Sequence, residues 1–355
     1  MHAAARGPQV HVVVPGSLDT RTGGYGYDRE IIAGLERRGW TVRVHEIPGS
    51  FPAPSVESRR AAAAALASLP DGAAVVVDGL ALGALPDEAA REASRLRLIA
   101  LVHHPLADET GLAADARAGL EARERRALAA ARHVVVTSPR TAAALDRYGV
   151  APSSITVIEP GTDAAPQARG SNGQRVELLC VATVVPRKGH DVLVRALAAM
   201  REASWHLTCV GGLDRDEAWA ASIRAEVAAL GIASRILFAG ELEREPLDVR
   251  YAAADVFVLP TWYEGYGMAV AEALARGLPV VSTATGAIAD LVGDDAGLLV
   301  PPGDVAALTG ALSSVVTDAA LRARLSGGAR RARARLRSWD DAAGVMARTI
   351  EGVDD

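Results

Sequence analysis

The chain is almost without lysine. Lysine and arginine together number 38 in 355 residues, and only Lys188 is a lysine. The formal net charge of −5 argues against the basic stripe with which proteins bind nucleic acid. Heavy use of alanine, arginine and glycine indicates biased codon usage, which accounts for the arginines but not for the exception. The scarcity of lysine therefore favours a functional role for Lys188.

Cysteines and long apolar runs are also scarce. The two cysteines, Cys180 and Cys209, lie in "ELLCVA" and "HLTCVG", which predict neighbouring buried strands with thiols acting as small hydrophobic groups rather than as a disulfide or redox pair. No apolar run reaches the ~20 residues that cross a bilayer. No N-terminal stretch combines the basic, apolar and cleavage regions of a signal peptide. We expect a cytoplasmic protein, with peripheral contact at the inner face of the membrane left open.

Half of the residues are hydrophobic, and they occur in two kinds of segment that alternate along the chain. Short β-branched runs alternate with amphipathic stretches rich in alanine and arginine, which is typical of βα repeats and parallel sheets. The fold class expected is therefore α/β, with two Rossmann-like, doubly wound parallel-sheet domains. The predicted strands are "QVHVVV", "TVRVHEI", "AAVVVD", "RLIALV", "HVVVTS" and "ITVI", then "VELLCVA", "WHLTCVG", "RILFAG", "DVFVLP", "LPVVST" and "GLLV".

A segment rich in proline, glycine and polar residues, 159–174, separates the two halves of this pattern. We place an N-terminal domain at 1–163, a linker at 164–174, a C-terminal domain at 175–337 and a final helix at 338–355. Loops at the carboxyl ends of parallel strands form ligand sites in such sheets. We therefore expect the ligand site in a cleft that the two domains face.

Lys188 lies where a strand turns into a helix, in "CVATVVPRKGHDVLVRAL". Pro186 interrupts the strand, and an amphipathic helix is predicted to begin near Gly189. Free N–H groups and the positive end of a helix favour an anion such as phosphate, and an ammonium group adds a full charge. The alternative is a solvated surface lysine.

A second motif, "PTWYEGYGMAVAEALARGLPVV", follows the apolar strand "DVFVL". Glu264 lies in its loop, and Gly265 and Gly267 permit close approach of the backbone. A helix is predicted to begin near Met268 with Glu272 in its first turns. Carboxylates so placed can face a sugar and accept hydrogen bonds from ribose hydroxyls. In the alternative interpretation, Glu272 only complements the helix dipole and Glu264 is merely exposed.

Two further motifs carry weaker signals. The first strand leads through Gly23, Gly24 and Gly26 into a helix, without the spacing of a dinucleotide fingerprint or a phosphate-binding P-loop, so a turn without a ligand also explains it. Asp214 and Asp216 form an Asp-x-Asp pair before a predicted helix, where acidic residues serve as caps. We expect no metal there, because an oxygen-only site needs more converging ligands.

Together, "PRKGHD", "WYEGYGMAVAEALARGLPVV" and "GLLVPPGD" resemble the retaining GT-B glycosyltransferases of the family 4 type, over nearly the whole chain. The resemblance implies transfer of a sugar from a nucleotide diphosphate donor, held mainly by the second domain, to an acceptor held mainly by the first. The donor would be a UDP-, GDP-, ADP- or dTDP-sugar. No metal or other cofactor is implied, and the last helix is expected to cross back to the first domain.

The resemblance also implies roles for individual residues. Lys188 matches the family's diphosphate-binding lysine, Glu264 the glutamate near the donor sugar, and Glu272 the glutamate at the ribose. Gly23 and Gly24 match a glycine loop near the phosphates. His103 matches a histidine of the donor-sugar pocket, although the neighbouring His104 is an alternative and a purely structural histidine is another. Lys188, Glu264 and His103 are the catalytic candidates. The remaining donor-binding candidates are Thr183, Arg187, Gly211, Leu242, Gly265, Tyr266, Gly267 and Met268.

One position departs from the family pattern. Thr183 stands where many family members carry an arginine that clamps the phosphate. Lys188 with backbone amides, Arg187 or another arginine could supply the missing charge, and the sequence does not decide among them.

Several functions fit this sequence. Breaking the anomeric bond leaves negative charge on the departing phosphate, which Lys188, the glycine loop and a helix terminus are suited to stabilise. The rivals are a GT-B sugar-nucleotide epimerase, a phosphorylase and a non-catalytic sugar-nucleotide-binding protein. A pyridoxal-dependent phosphorylase needs a Schiff-base lysine, and the one lysine is already assigned to phosphate. The acceptor, whether a lipid-linked sugar, a polysaccharide or a small natural product, is not determined by the sequence.

Overall fold

A computed structural model describes residues 7–171 and 173–353. The chain divides into two compact units, one of Met1–Gly161 with Arg337–Asp355 and the other of Thr162–Leu336. The predicted linker, 164–174, falls within the second unit. There the backbone N–H of Ala168 donates to Arg276 O, and that of Arg169 donates to Ala252 O.

The first unit is built on a six-stranded parallel sheet with the order β2-β1-β3-β4-β5-β6. Its strands are β1 (Gln9–Pro15), β2 (Thr41–Ile47), β3 (Ala74–Asp78), β4 (Arg97–Val102), β5 (His133–Val136) and β6 (Ile155–Val157). Its helices are α1 (Gly23–Arg37), α2 (Val56–Ala67), α3 (Gly79–Leu82), α4 (Pro86–Glu92), α5 (Ala114–Leu128) and α6 (Pro139–Ala144), with 3-10 turns at Leu106–Asp108, Leu145–Tyr148 and Pro152–Ser154. The central strand β3 is buried along its whole length because helices cover both faces of the sheet.

The second unit repeats this design with the strand order β12-β11-β10-β7-β8-β9, again all parallel. Its strands are β7 (Val176–Val181), β8 (Trp205–Val210), β9 (Ile236–Phe238), β10 (Val256–Leu259), β11 (Val280–Thr283) and β12 (Gly297–Val300). Its helices are α7 (His190–Ala198), α8 (Glu217–Ala229), α9 (Arg244–Ala253), α10 (Met268–Ala275), α11 (Ile288–Val292), α12 (Val305–Thr317) and α13 (Ala319–Arg333), with 3-10 turns at Pro186–Lys188 and Ala233–Arg235.

The two sheets confirm the predicted α/β fold class, and each of the twelve predicted strand segments contains a strand of one sheet. Cys180 and Cys209 are buried on the neighbouring strands β7 and β8, as predicted, where they pair in register as free thiols. Each sheet has one point where the strand order reverses direction. It lies between β1 and β3 in the first unit and between β7 and β10 in the second. Such switch points, at the carboxyl ends of the strands, are where open α/β sheets bind ligands.

The last helix, α14 (Trp339–Gly352), belongs to the first unit and packs against α1, as expected. It begins with a capping box in which Ser338 and Asp341 satisfy each other's backbone N–H groups. One face is buried, and its residues recur at helical spacing: Trp339, Ala342, Ala343, Met346, Ala347 and Ile350. Arg38 of the first unit donates to Asp340 Oδ1 at 2.5 Å and to Asp340 O at 2.8 Å, which fastens the start of the helix.

Within the described residues, no single helix is long and apolar enough to cross a membrane. The helices α12 and α13 meet those criteria only when joined across a 100° bend. Leu308, Leu312 and Val315 of α12 are fully buried in the core of the second unit.

Candidate functional site

Lys188 and Glu264 meet at the switch point of the second sheet. Lys188 ends the 3-10 turn after β7, and Glu264 lies in the loop after β10, so the two flank the place where the strand order reverses. Lys188 Nζ lies 2.5 Å from Glu264 Oε1. The side chains are only 17% and 11% exposed. The sequence predicted both residues separately, and the structure makes them an ion pair.

Backbone contacts hold the two loops together. Arg187 O accepts hydrogen bonds from Trp262 N at 2.8 Å and from Thr261 Oγ1 at 3.0 Å. In return, Arg187 Nη1 donates to Tyr263 O at 2.8 Å. The position of the ammonium relative to the carboxylate is therefore fixed by the residues immediately beside each.

Two glycines allow this close approach. Gly189 has φ +70°, and a Cβ at that position would lie 2.0 Å from Pro260 O. Gly286 has φ +52°, and its Cβ would lie 1.8 Å from Glu264 O. A side chain at either position would be strained and would push the loops apart. Gly286 and Thr261 were missed by the sequence reasoning, because their partners are remote in the chain.

The charges of this cluster stabilise one another. Burial lowers the pKa of Lys188, although the carboxylate of Glu264 opposes that shift. Burial alone would raise the pKa of Glu264, but the nearby Lys188 and Arg187 hold it below its usual value. Arg187 Nη1 lies 3.9 Å from Glu264 Oε1. A second cation is therefore present beside the carboxylate of Glu264.

Glu272 lies in the first turns of α10, as predicted, with a partner that the sequence did not reveal. Tyr251 of α9 is fully buried, and its hydroxyl donates to Glu272 Oε2 at 3.0 Å. Arg276 stacks over the Tyr251 ring, with the guanidinium carbon 4.3 Å from the ring centroid. Burial raises the pKa of Glu272, while Tyr251 and Arg276 favour its charged form. The carboxylate is thus oriented before any ligand is present.

The other candidates of the second unit lie at strand ends or helix starts. Thr183 follows β7 and Gly211 follows β8, and a Cβ on Gly211 would lie 2.1 Å from Ala182 O. Gly265 and Tyr266 lie in the loop after Glu264, Gly267 is the residue before α10, and Met268 is its first residue. Tyr266 is buried in a small cluster with Ala271 and Ala287. Leu242 is partly buried against the core of the second unit.

In the first unit, Gly23 and Gly24 form the first turn of α1 itself, rather than a loop before it. The residue before the helix, Thr22, provides no side-chain cap, so the first N–H groups of α1 lack this usual partner. His103 follows β4 and lies against this turn, because a Cβ on Gly24 would be 3.3 Å from His103 Cδ2. His104 turns to a different partner, with Nε2 3.6 Å from Glu109 Oε2.

Two carboxylates that the sequence reasoning missed surround His103. Its Nε2 lies 3.3 Å from Asp28 Oδ1 and 3.3 Å from Asp78 Oδ2. Asp28 lies on α1, and Asp78 is the last residue of β3. Burial would lower the pKa of His103, but the charges and hydrogen bonds of Asp28 and Asp78 raise it to about 10. A signal for Asp78 was present, since it ends the predicted strand "AAVVVD" at the carboxyl edge of the sheet.

Glu124 anchors the chain just beyond His103. It is buried on α5, and its Oε2 accepts a hydrogen bond from Leu106 N at 2.9 Å. Burial raises the pKa of Glu124 to about 7. This buried carboxyl group therefore helps to hold the loop that carries the histidines against α5.

Among the described residues, two clusters place three metal-ligating atoms within 4.8 Å of one another. One is the set Asp28, Asp78 and His103, and the other is Cys180, His190 and Cys209. The Asp-x-Asp pair joins neither cluster. Asp216 caps α8 by accepting a hydrogen bond from Trp219 N at 3.0 Å, which agrees with the capping role predicted for it.

Two Rossmann-like parallel sheets in one chain are the fold of the GT-B class of α/β proteins. Residues 1–165 match the model of the Glycosyltransferase Family 4 domain, and residues 162–332 match that of the glycosyl transferases group 1 domain. The chain therefore belongs to the family 4 type of GT-B glycosyltransferases.

Known proteins agree with this assignment. The chain is 34% identical over 224 residues to the D-inositol 3-phosphate glycosyltransferase of Salinispora tropica, an alignment covering 55% of this chain and 45% of that protein. The chain thus spans about half the length of the curated relatives it matches. A sucrose-phosphate synthase from Thermosynechococcus elongatus has the same fold, with a TM-score of 0.81, 22% identity and coverage of 97% and 99% of the two chains. HepE from Anabaena, solved with UDP-glucose, gives a TM-score of 0.75 at 17% identity, covering 96% and 99%.

Proposed function

We propose that this protein is a glycosyltransferase that moves a sugar from a nucleotide diphosphate sugar to an acceptor hydroxyl group, with retention of the anomeric configuration and without a metal ion. The observation that carries the proposal is the Lys188–Glu264 pair at the switch point of the second sheet. A partly buried ammonium group at the carboxyl edge of a Rossmann-like sheet suits the diphosphate of a donor.

Lys188 has the right chemistry for the departing phosphate. As the anomeric bond breaks, negative charge grows on the leaving group, and a fixed cation in a partly desolvated site stabilises it without reorganisation. Glu264 holds the ammonium group in place and favours its charged form. Arg187 lies beside the same carboxylate and can supply additional positive charge.

Glu272 is suited to recognise the nucleoside. Its carboxylate is oriented by the Tyr251 hydroxyl at 3.0 Å, and a carboxylate can accept hydrogen bonds from both hydroxyls of a ribose. We assign the donor mainly to the second unit and the acceptor mainly to the first. His103 of the first unit would then contribute to the pocket for the transferred sugar.

Retention and metal independence come from the family resemblance. Proton NMR of the fresh product would test retention, since an inverted anomeric signal would contradict it. Activity that survives a chelator is expected, whereas strict dependence on Mn²⁺ or Mg²⁺ would contradict metal independence.

The first experiment is a thermal-shift panel of nucleotides and nucleotide sugars. A ligand at a hundred times its dissociation constant adds about 2.7 kcal/mol to the free energy of unfolding. Release of nucleoside diphosphate from the best donor then reports both transfer and slow hydrolysis. Release that is abolished in Lys188→Met, and retained in the exposed control Arg331→Met, would support the proposal.

The same measurements separate the rivals. An epimerase would convert one nucleotide sugar into another without releasing the nucleoside diphosphate. A binding protein would shift in melting temperature but release nothing with any acceptor. We further propose that the protein acts in the cytoplasm, and fractionation of cells would test that location and any contact with the membrane.

A further inference from the structure

His103 contacts two buried carboxylates through one ring nitrogen, and the family resemblance does not explain this arrangement. Asp28 is 2% exposed and Asp78 is 5% exposed. His103 directs its buried Nε2 between them, while the side chain as a whole keeps 20% of its surface exposed. Because Nε2 is buried, the exposed surface of the His103 side chain belongs to atoms other than Nε2.

Asp28 lacks the usual compensation for a buried carboxylate. Apart from the His103 ring, whose Nε2 lies 3.3 Å from Oδ1, neither of its oxygens has a hydrogen-bond partner among the described residues. The void beside it is otherwise lined by apolar side chains: Val12, Ile31, Ile32, Leu35, Val76, Leu101 and Met346. Apart from Asp28 itself, this lining offers a water molecule none of the two to four polar partners that it needs.

Other charged groups near Asp28 are directed elsewhere. Arg29 Nη1 donates to Leu18 O and, at 3.1 Å, to Thr20 O. Asp78 has its own partner, because Oδ1 accepts from Leu80 N at 2.7 Å. The imidazole is thus the cationic group placed to neutralise this pair of acids.

We propose that Asp28 and Asp78 are positioning residues that hold His103 as an imidazolium ion with its Nε2–H directed inward. The exposed side of His103 then offers the substrate a hydrogen-bond donor and a positive charge, and the residue does not serve as a general base. This inference rests on the proposed function, since the substrate oxygen that it serves belongs to the donor sugar or its phosphates.

The surroundings of the ring agree with a fixed orientation. Tyr27 packs edge-on against the imidazole with the centroids 5.3 Å apart, and Trp339 of α14 packs against Tyr27 at 5.8 Å. Gly24 leaves no spare room on the α1 side. Burial raises the pKa of Asp28 to about 6, and His103 opposes that shift. Without the positive charge of the imidazolium, the ionised form of Asp28 would therefore be strongly disfavoured. An opposite charge within a few ångström favours the charged form of both partners.

The decisive experiment is an NMR titration of the whole protein with labelled histidine. The Cε1–H signal of His103 is assigned by its loss in His103→Gln, and its shift is followed from pH 5 to pH 9. We expect the wild-type signal to stay at the imidazolium position through pH 8. A wild-type signal that titrates between pH 6 and 7 would overturn the proposal, whether or not the protein transfers sugar.

Substitutions of the two aspartates provide a second, independent test of the proposal. Asp78→Asn should bring the His103 titration down toward its ordinary value near 6.5, and should introduce a step near that pH into kcat/KM for the nucleotide sugar. The loss at pH 8 should be about a hundredfold and mainly in kcat, as expected when a catalytic group is misplaced. Asp28→Asn, if it folds, should act in the same direction. Asp87→Asn, which alters an exposed ion pair with Arg126 in the same unit, should leave both readouts unchanged.

A metal ion between the same three residues is the competing explanation. Stoichiometric Zn²⁺ in the purified protein, lost in Asp78→Asn, would overturn the imidazolium assignment. Absence of bound metal together with an unshifted imidazolium signal would support it.

Discussion

The ammonium of Lys188 and the carboxylate of Glu264 lie 2.5 Å apart although 76 positions separate them in the chain. One side chain follows β7 and the other follows β10, the two strands that flank the switch point. This relationship ties the strongest functional motif of the chain to the topology of its second sheet, and it leads to separate predictions for activity and stability.

Lys188→Met should reduce sugar transfer or donor hydrolysis by about a hundredfold or more, the usual effect of removing one donor to a developing oxyanion. It should also destabilise the fold by roughly 3–5 kcal/mol, because Glu264 is left buried without its main partner. Steady-state kinetics and urea unfolding measure the two effects.

The double variant Lys188→Met/Glu264→Gln separates them. Stability should largely recover, since no uncompensated carboxylate remains, while activity should stay low. Arg331→Met, which breaks an exposed pair with Asp295, is the matched control and should cost no more than about 1 kcal/mol. Full activity in Lys188→Met would contradict the proposed mechanism.

Glu272→Gln should weaken donor binding more than it slows turnover. A hydrogen bond to a charged group is worth about 1.5–3 kcal/mol, so KM for the donor should rise about tenfold to a hundredfold with kcat nearly unchanged. Tyr251→Phe should produce a smaller shift of the same kind, because it removes only the group that orients the carboxylate. An equal fall in kcat for Glu272→Gln would place the residue at the reacting centre instead.

Gly24→Ala should impair activity without unfolding the first unit. The new methyl group would lie 3.3 Å from His103 Cδ2, so the imidazole must shift by a few tenths of an ångström. Gly119→Ala on the exposed surface of α5 meets nothing within 4 Å and should instead stabilise the protein by up to about 1 kcal/mol. Comparing kcat/KM and melting temperature for the two variants tests the contact, and equal activity in both would argue against it.

Glu124 should make stability depend on pH between about 4.5 and 7. Its pKa is raised from 4.5 to about 7 in the folded protein, so the unfolded chain releases this proton first as pH rises. This group therefore disfavours folding increasingly through that window, by about 3 kcal/mol once pH exceeds 7. Glu124→Gln should remove that loss, which urea unfolding at pH 5 and pH 8 would measure.

The control for this effect is Glu121→Gln. Glu121 lies on the same helix and forms an ion pair with Arg125, whose side chain is half exposed. Its unfolding free energy should change between the two pH values as the wild type does. A Glu124→Gln variant with the wild-type pH dependence would show that the buried carboxyl is ionised in both states.

Local pattern was sufficient for the elements and for the motif residues. The alternation of β-branched and amphipathic runs located the twelve strands of the described residues, because a parallel strand buried on both faces reads as a continuous apolar run. Lys188 stood out by rarity, and the helix that carries Glu272 began where predicted, at Met268. These features depend on residues close together in the chain.

Partnerships between remote residues needed the tertiary structure. The strand order depends on which strands pair with one another in each six-stranded sheet, and hydrophobic periodicity does not encode that pairing. The position of each switch point follows from the strand order. Only the folded sheets bring Glu264 to Lys188, Tyr251 to Glu272, and Asp28 with Asp78 to His103. The sequence determined which groups are available for chemistry, whereas packing decided which charges meet, because desolvation and Coulomb energy depend on distances that the folded chain alone sets.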